Sequence, residues 1–337
     1  MKTRVRAVDV DHPEPEIIEE AAAILSQGGL VAFATETVYG LGADATNAEA
    51  VGRIFEAKGR PSFNPLIVHV EGVPHARTFT TAWTESAQRL ADRFWPGPLT
   101  LIVPKTPAIP AIVTAGGPSV GLRVPAPKVA RALIARVGAP LAAPSANRSN
   151  RISPTCAEHV LADLDGRIDL ILDSGPTTVG LESTVLDLTS APARILRPGP
   201  IGWHDLAPFF KEGDLAGPTS PEAPPPDRPS SPGMLAVHYA PRTRALRVES
   251  VRDVFDVAWP ERAGVLAFER LDRDRLPEHV VVIEHPDPIG AAQNLYASLH
   301  ALDAQGLDLI VVAMPPAGGA WDAVRDRLRR ATTPLEA

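Results

Sequence analysis

Apolar residues recur at helical spacing over residues 13–27, where Ile17, Ile18, Ala21, Ala22 and Leu25 share one face until Gly28-Gly29 ends the run. The same periodicity predicts helices over 48–57, 83–95, 128–137 and 155–164. For the last of these, Ser153 or Thr155 is the expected cap, with Pro154 near the first turn. Short apolar runs bounded by Gly, Pro or polar residues predict strands at 30–33, 66–70, 99–103, 120–124, 140–143, 170–172, 183–188 and 194–197. Strands and helices mix without strict alternation, which predicts an α/β domain on a twisted mixed sheet. Beyond residue 241 the pattern simplifies to strands at 264–268, 280–283 and 309–313 and helices at 288–304 and 320–331. That is the pattern of a small doubly wound parallel sheet.

Composition changes this picture at one place. Eight prolines lie between residues 213 and 241, a stretch that cannot donate a regular hydrogen-bond ladder. It divides the 337 residues into a first domain at 1–212, a Pro-rich linker at 213–241 and a second domain at 242–337. Apolar content of 45% and charged content of 22% are those of a globular chain and exclude wholesale disorder. The net charge of −7 divides into −2 over residues 1–212 (20 basic, 22 acidic) and −5 over the rest (13 basic, 18 acidic). Neither part holds nucleic acid by bulk positive charge. Cys156 is the only cysteine, which excludes an intrachain disulfide and a cysteine zinc site and fits a reducing compartment. Without a signal-like start or an apolar run of roughly 20 residues, a cytoplasmic protein is expected.

The chain carries no G-x-x-x-x-G-K-[ST] loop, no G-x-G-x-x-G after a strand, no H-E-x-x-H and no G-x-S-x-G. What remains is a set of cations and hydroxyls in Gly- and Pro-rich loops. Lys58-Gly59-Arg60-Pro61 ends a helix, with Gly59 as the expected left-handed cap. Together with Asn64-Pro65-Leu66 it aims two cations one way, an arrangement suited to a triphosphate. Thr35-Glu36-Thr37-Val38-Tyr39-Gly40-Leu41-Gly42 reads as a tight turn after the first strand, with hydroxyls at a strand's carboxyl end. Ser145-Ala146-Asn147 and Ser153-Pro154-Thr155 form a second hydroxyl-rich segment. Taken singly, Arg123 and Arg197 read as surface cations and His69 as a hydrogen-bonded core histidine.

These segments occur in one order with Glu182-Ser183-Thr184-Val185, Arg123-Val124-Pro125, Ala143-Pro144 and Arg197-Pro198-Gly199. In that order and rough spacing, residues 12–210 resemble the YrdC-like core of the L-threonylcarbamoyladenylate synthases. Ser231-Pro232-Gly233-Met234 and His238-Tyr239-Ala240-Pro241 resemble the linker of the longer, two-domain type. The resemblance implies an α/β fold with a YrdC-like open twisted mixed sheet and helices, plus a small Rossmann-like parallel C-terminal domain. It implies a nucleotidyltransferase joining L-threonine, bicarbonate and ATP, with Mg²⁺, into threonylcarbamoyl-AMP and pyrophosphate, for N6-threonylcarbamoyladenosine in tRNA. Lys58 and Arg60 would be catalytic, on the triphosphate. Thr35, His69, Arg123 and Ser183 would hold threonine, Arg123 meeting its carboxylate. Ser62, Ser119, Ala143, Ser145, Asn147, Ser153, Arg197 and Tyr239, or His238 beside it, would hold the nucleotide, and no side chain would ligate the metal directly. The expected partner is a tRNA threonylcarbamoyl transferase that takes the product, with weak or indirect tRNA contact and no membrane.

The sequence departs from that pattern at Ala34, where proline is usual, at Asn150, where glycine is usual, and at Leu235-Ala236-Val237. Asn tolerates the left-handed conformation, so the turn at 150 is expected to survive. Two other readings compete: a carbamoyltransferase forming a carbamoyl adenylate, and a non-enzymatic RNA-binding maturation factor.

Overall fold

The computed structural model describes residues 2–217 and 239–335, so most of the expected linker, with His238, lies outside the described residues. Residues 2–149, 154–178 and 182–217 form one compact unit, and residues 150–153, 179–181 and 239–335 form another.

The first unit runs β1 (Arg4–Ala7), α1 (Pro15–Ser26), β2 (Val31–Ala34), β3 (Tyr39–Asp44), α2 (Ala48–Lys58), β4 (Ile67–His69), α3 (Val73–Arg77), α4 (Glu85–Phe94) and β5 (Leu99–Pro104). It continues through β6 (Ser119–Arg123), α5 (Lys128–Val137), β7 (Leu141–Ala142), α6 (Ala157–Leu164), β8 (Leu170–Asp173), β9 (Thr184–Asp187), β10 (Arg194–Arg197) and α7 (Trp203–Leu206). Ten strands pair in the order β1-β8-β2-β3-β7-β4-β6-β5-β9-β10. Parallel pairs such as β4–β6 sit beside antiparallel ones such as β5–β6, giving the mixed sheet expected.

Side chains alternate faces along a strand, and the register sorts them. One face carries Leu41, Val68, Leu99, Leu101, Leu122 and Leu186, packed with Ile54, Phe55 and Leu90 of the helices in the larger core. The opposite face divides in two. Over β2, β7 and β8 it carries Val31, Phe33, Leu141, Leu170 and Leu172, covered by apolar residues of α1 and α5. Further along the sheet, His69 stands opposite Leu141 on one side and Arg123 on the other, Ile67 opposite Gly121, and Gly121 opposite Ile102. There the same face bears Ile67, His69, Gly121, Arg123, Thr100, Ile102 and Val185. Its apolar part is the small cluster of Ile67, Ile102 and Val185 with Leu196.

Two local expectations are corrected. Residues 35–42 are not one turn, because Tyr39–Asp44 forms β3, paired antiparallel with β2. A Cβ at Gly42 would lie 2.7 Å from Phe33 Cε1, so glycine there lets the ring lie across the hairpin. Helix α6 begins at Ala157 behind Cys156, and neither Ser153 nor Thr155 caps it. The reason lies in the preceding backbone, where the Pro154 carbonyl accepts the Tyr39 N–H at 2.9 Å and holds the chain along β3.

The second unit contains β11 (Ala245–Val248), β12 (Ala263–Ala267), β13 (Val281–Glu284), α8 (Pro288–Asp303), β14 (Leu309–Ala313), α9 (Asp322–Ala331) and β15 (Thr333–Pro334). The strands pair in the order β13-β12-β14-β11-β15, every pair parallel. This is the small parallel sheet expected, with β11 and β15 added. Among the described residues, no helix is long and apolar enough to cross a membrane.

Candidate functional site

Three polar clusters stand in the first unit. Helix α2 starts with the Asn47 side chain accepting from Glu49 N–H and Ala50 N–H and ends at Gly59, whose φ of 60° is the left-handed cap expected. That turn buries Lys58, 2% exposed, and sends its ammonium to the Ser145 carbonyl at 2.6 Å, the Asn147 carbonyl and Asn147 Oδ1 at 3.3 Å. Ser145 Oγ donates to Asn147 Oδ1 at 2.5 Å, and the Ser149 N–H donates to the Lys58 carbonyl at 2.8 Å. Arg60 turns back on its own loop, Nε to the Asn64 carbonyl at 3.3 Å and Nη2 to the Pro65 carbonyl at 3.1 Å. Burial holds the Lys58 pKa well below the usual lysine range, and the charge of Arg60 pushes the same way. The loops of residues 58–65 and 145–149 are thus laced together by a cation.

The second cluster surrounds Arg123, 3% exposed at the end of β6. Its Nε donates to the Gly97 carbonyl at 3.2 Å, Nη1 to Thr37 Oγ1 at 3.0 Å, and Nη2 lies 2.7 Å from Glu36 Oε1. Glu36 Oε2 also accepts the Ala126 N–H at 3.0 Å. Thr35 shapes the hairpin turn that presents these groups. Its hydroxyl donates to the Val38 carbonyl at 2.7 Å, accepts from Val38 N–H at 3.2 Å, and lies 2.7 Å from the Thr37 hydroxyl. His69, 2% exposed, stands beside Arg123 in register with the Phe33 ring edge-on at 6.4 Å, and neither ring nitrogen has a hydrogen-bond partner. It is therefore not the hydrogen-bonded core histidine that its apolar strand suggests. Burial, then the charge of Arg123, holds its pKa well below the usual histidine value and keeps it neutral.

In the third cluster Arg197 grips Ser183. Its Nε and Nη2 donate to the Ser183 carbonyl at 3.1 and 2.9 Å and Nη2 reaches the hydroxyl at 3.1 Å, while Thr100 Oγ1 lies 2.8 Å from that hydroxyl. Expected on different ligands, Ser183 and Arg197 are in direct contact. The first two clusters are neighbours through β3. The Tyr39 carbonyl accepts the Ala146 N–H at 2.8 Å, and Tyr39 is two residues from the Thr37 that Arg123 touches. Below Arg123 the same face opens into a cavity of ≈ 680 Å³ lined by Ser62, Phe63, Ile67, Ile102, Ser119 and Gly121, among others. A Cβ on Gly121 would stand 3.1 Å from both Ile102 Cδ1 and Thr100 Cγ2, so glycine keeps this trough free of a side chain.

Of the remaining expected residues, Ala143 is packed in the core under α1 and α5 and donates its N–H to the Ile67 carbonyl at 3.0 Å. Ser153 and Tyr239 belong to the second unit. There the Ser153 carbonyl lies 3.2 Å from His300 Nε2, and the buried Tyr239 ring meets Tyr296 at 5.7 Å with the Arg327 guanidinium 5.4 Å away. Glu36 and Thr100 are site residues that sequence reasoning left without a role, while Thr37 and Asn64 were read only as parts of their loops. For Glu36 the signal was present, an acid between two threonines in an otherwise uncharged stretch. Among the described residues, no group of three or more His, Cys, Asp or Glu could hold a metal ion.

An α/β mixed sheet that gathers buried cations, hydroxyls and a neutral imidazole at the ends of its strands and in the adjoining loops defines an anion-handling enzyme core. The family described as "Telomere recombination" (Sua5, YciO and YrdC) matches residues 23–199, and "Threonylcarbamoyl-AMP synthase, C-terminal domain" matches 205–333. The chain belongs to the threonylcarbamoyl-AMP synthase family. It is 39% identical over 325 residues to the threonylcarbamoyl-AMP synthase of Pyrococcus abyssi, covering 94% of each chain. Against that of Bacillus subtilis it is 40% identical over 347 residues, covering 98% of each. The crystal structure of P. abyssi Sua5 complexed with L-threonine superposes with a TM-score of 0.90 at 37% identity, covering 99% of this chain and 100% of that one. E. coli YciO matches with a TM-score of 0.56 at 25% identity, covering 62% of this chain and 100% of that one.

Proposed function

We propose that this chain joins L-threonine, bicarbonate and MgATP into threonylcarbamoyl-AMP, releasing pyrophosphate and water. The observation that carries the reading is the neighbourhood of two anion-matched clusters on one sheet. Arg123 donates hydrogen bonds to Gly97 and Thr37 and pairs with Glu36 only as an ion pair, so N–H groups of its Nη1 and Nη2 are left to face a carboxylate. Two residues of β3 away stands the loop laced by Lys58, where a triphosphate would replace carbonyl oxygens as the ammonium's partners. L-Threonine is bound in the P. abyssi structure that this fold matches over its full length.

On this reading Arg123 and the 35–37 turn take the amino acid. Lys58 and Arg60 take the β- and γ-phosphates, and Ser145 and Asn147 the nucleotide. Arg197 orients Ser183 toward threonine. Ser62 and Ser119 line the apolar cavity, whose walls suit a flat base. Mg²⁺ comes with the nucleotide, ligated by its phosphates, and spreads their charge. Threonine's nitrogen becomes a carbamate, whose oxygen displaces pyrophosphate at the α-phosphorus. The step needs positioning and charge stabilisation but no protein nucleophile. A tRNA-modifying transferase then takes the adenylate.

Pyrophosphate release from MgATP tests this. Release that requires both L-threonine and bicarbonate is expected. Release that instead requires carbamoyl phosphate would move the chain to the carbamoyltransferases, and no release under either condition would leave a binding role.

A further inference from the structure

Carbamate formation from an ammonium ion has a proton balance that the substrates cannot meet alone. One ammonium and one bicarbonate give one carbamate, one water and one proton, and the amine attacks only after its nitrogen has lost a proton. Some group beside the amino acid must take it.

We propose that His69 is that proton acceptor, the general base that frees threonine's α-amine. The inference rests on the synthase reading above. The imidazole lies on the same sheet face as Arg123, in register with it on the neighbouring strand, and both ring nitrogens are buried without a hydrogen-bond partner. A buried polar group left unmatched costs stability and calls for a reason. A neutral imidazole offers one lone pair and one N–H, the pair of functions the step needs. The charged groups on the elements packed against it are few. On β6 stands Arg123 with Glu36 in its ion pair, on β2 the uncharged Phe33, and on β7 the uncharged Leu141. Burial first, and then the charge of Arg123, suppresses protonation of the ring. A substrate carboxylate brought against Arg123 offsets the second of these, so the ring gains basicity when the amino acid is in place.

The bonds close as follows. The imidazole takes a proton from the ammonium, and the freed nitrogen lone pair forms the C–N bond at the bicarbonate carbon. The C–OH bond breaks and its oxygen leaves as water with the proton returned by the imidazolium. The second N–H proton then passes to the imidazole and on to solvent, leaving the carbamate.

His69→Gln and His69→Asn keep a polar group that donates and accepts hydrogen bonds but cannot carry a proton. Both variants are expected to melt within a few degrees of the parent and to bind L-threonine within a few-fold by calorimetry. At neutral pH their kcat for pyrophosphate release should fall by about a hundredfold or more, the usual reach of a general base. The distinguishing readout is the pH profile. As solvent hydroxide takes over deprotonation, kcat of the variants should climb roughly tenfold per pH unit toward the amine's own pKa and close on the parent's. A loss confined to the threonine KM, or a deficit constant across pH, would make His69 a binding residue and overturn the proposal. Parent enzyme that releases no pyrophosphate with threonine and bicarbonate would instead overturn the synthase reading.

Discussion

A guanidinium that is 3% exposed needs a counter-charge, and Glu36, 7% exposed, supplies it at 2.7 Å. Removing one member of such a pair leaves the other charged and buried, which costs about 3–5 kcal/mol. Arg123→Met should therefore lower the urea-unfolding free energy by that order and abolish threonine binding. The double variant Arg123→Met, Glu36→Gln should recover most of the stability, because no bare charge remains, while still binding no threonine. A double variant as unstable as the single one would show that packing at the end of β6, and not the unpaired Glu36, sets the cost. The same logic says why a sequence reading gives Thr35 a role and passes over Glu36. Hydroxyls in a turn advertise themselves, whereas an acid becomes informative only once its burial against an arginine is seen.

Two glycines show how elements aim the site. Gly59 ends α2 in the left-handed region, and a Cβ there would meet no heavy atom within 4 Å, so Gly59→Ala faces only backbone strain, about 1 kcal/mol. Gly199 is the reverse case. A Cβ there would stand 2.4 Å from Thr184 N and 2.8 Å from the Glu182 carbonyl oxygen, against the backbone that carries Ser183 into β9. Gly199→Ala should cost about 1–3 kcal/mol by overpacking and, by shifting Ser183 off Arg197, reduce pyrophosphate release more than Gly59→Ala does; thermal melts and initial rates on both variants check the order. Helices α1, α2 and α5 were legible in the sequence because burial follows their period, and strands β4 to β6 because they are short, mostly apolar segments buried along nearly their whole length. Strand β1 was not, since all four of its residues are exposed and only pairing with β8 makes it a strand. Strand β11 reads Ala-Leu-Arg-Val, too short and mixed to signal, and it is recruited by β14. The α6 cap failed because a tertiary hydrogen bond from Tyr39 outcompeted a local one. The site's loops were legible as motifs, but their convergence was not, because register alone puts His69, Arg123 and Thr100 on one face.

At the scale of the whole chain, the boundary between units does not follow the order of the sequence. Residues 150–153 and 179–181 fall in the second unit, where Arg151 bridges Ala240, the Ala240 N–H donates to the Asn150 carbonyl at 2.9 Å, and His300 meets the Ser153 carbonyl. This makes one histidine a stability gauge for that unit. Burial lowers the His300 pKa from 6.5 to about 4, only partly opposed by the Ser153 carbonyl. The folded value lies below the unfolded one, so between pH 6.5 and about 4 the unfolded chain binds more protons, and stability falls as the pH falls through that window. The full difference is worth about 3 kcal/mol, present above the unfolded pKa and gone below the folded one. His300→Gln cannot titrate, so it should flatten this part of the slope, and His69, common to both proteins, cancels in the comparison. Amide hydrogen exchange of β12 and β14, measured from about pH 7 to about pH 4.5 and corrected for intrinsic rates, reads the second unit directly. Protection there should drop more steeply in the parent than in His300→Gln; parallel profiles would mean that the buried ring already carries its proton in the folded state.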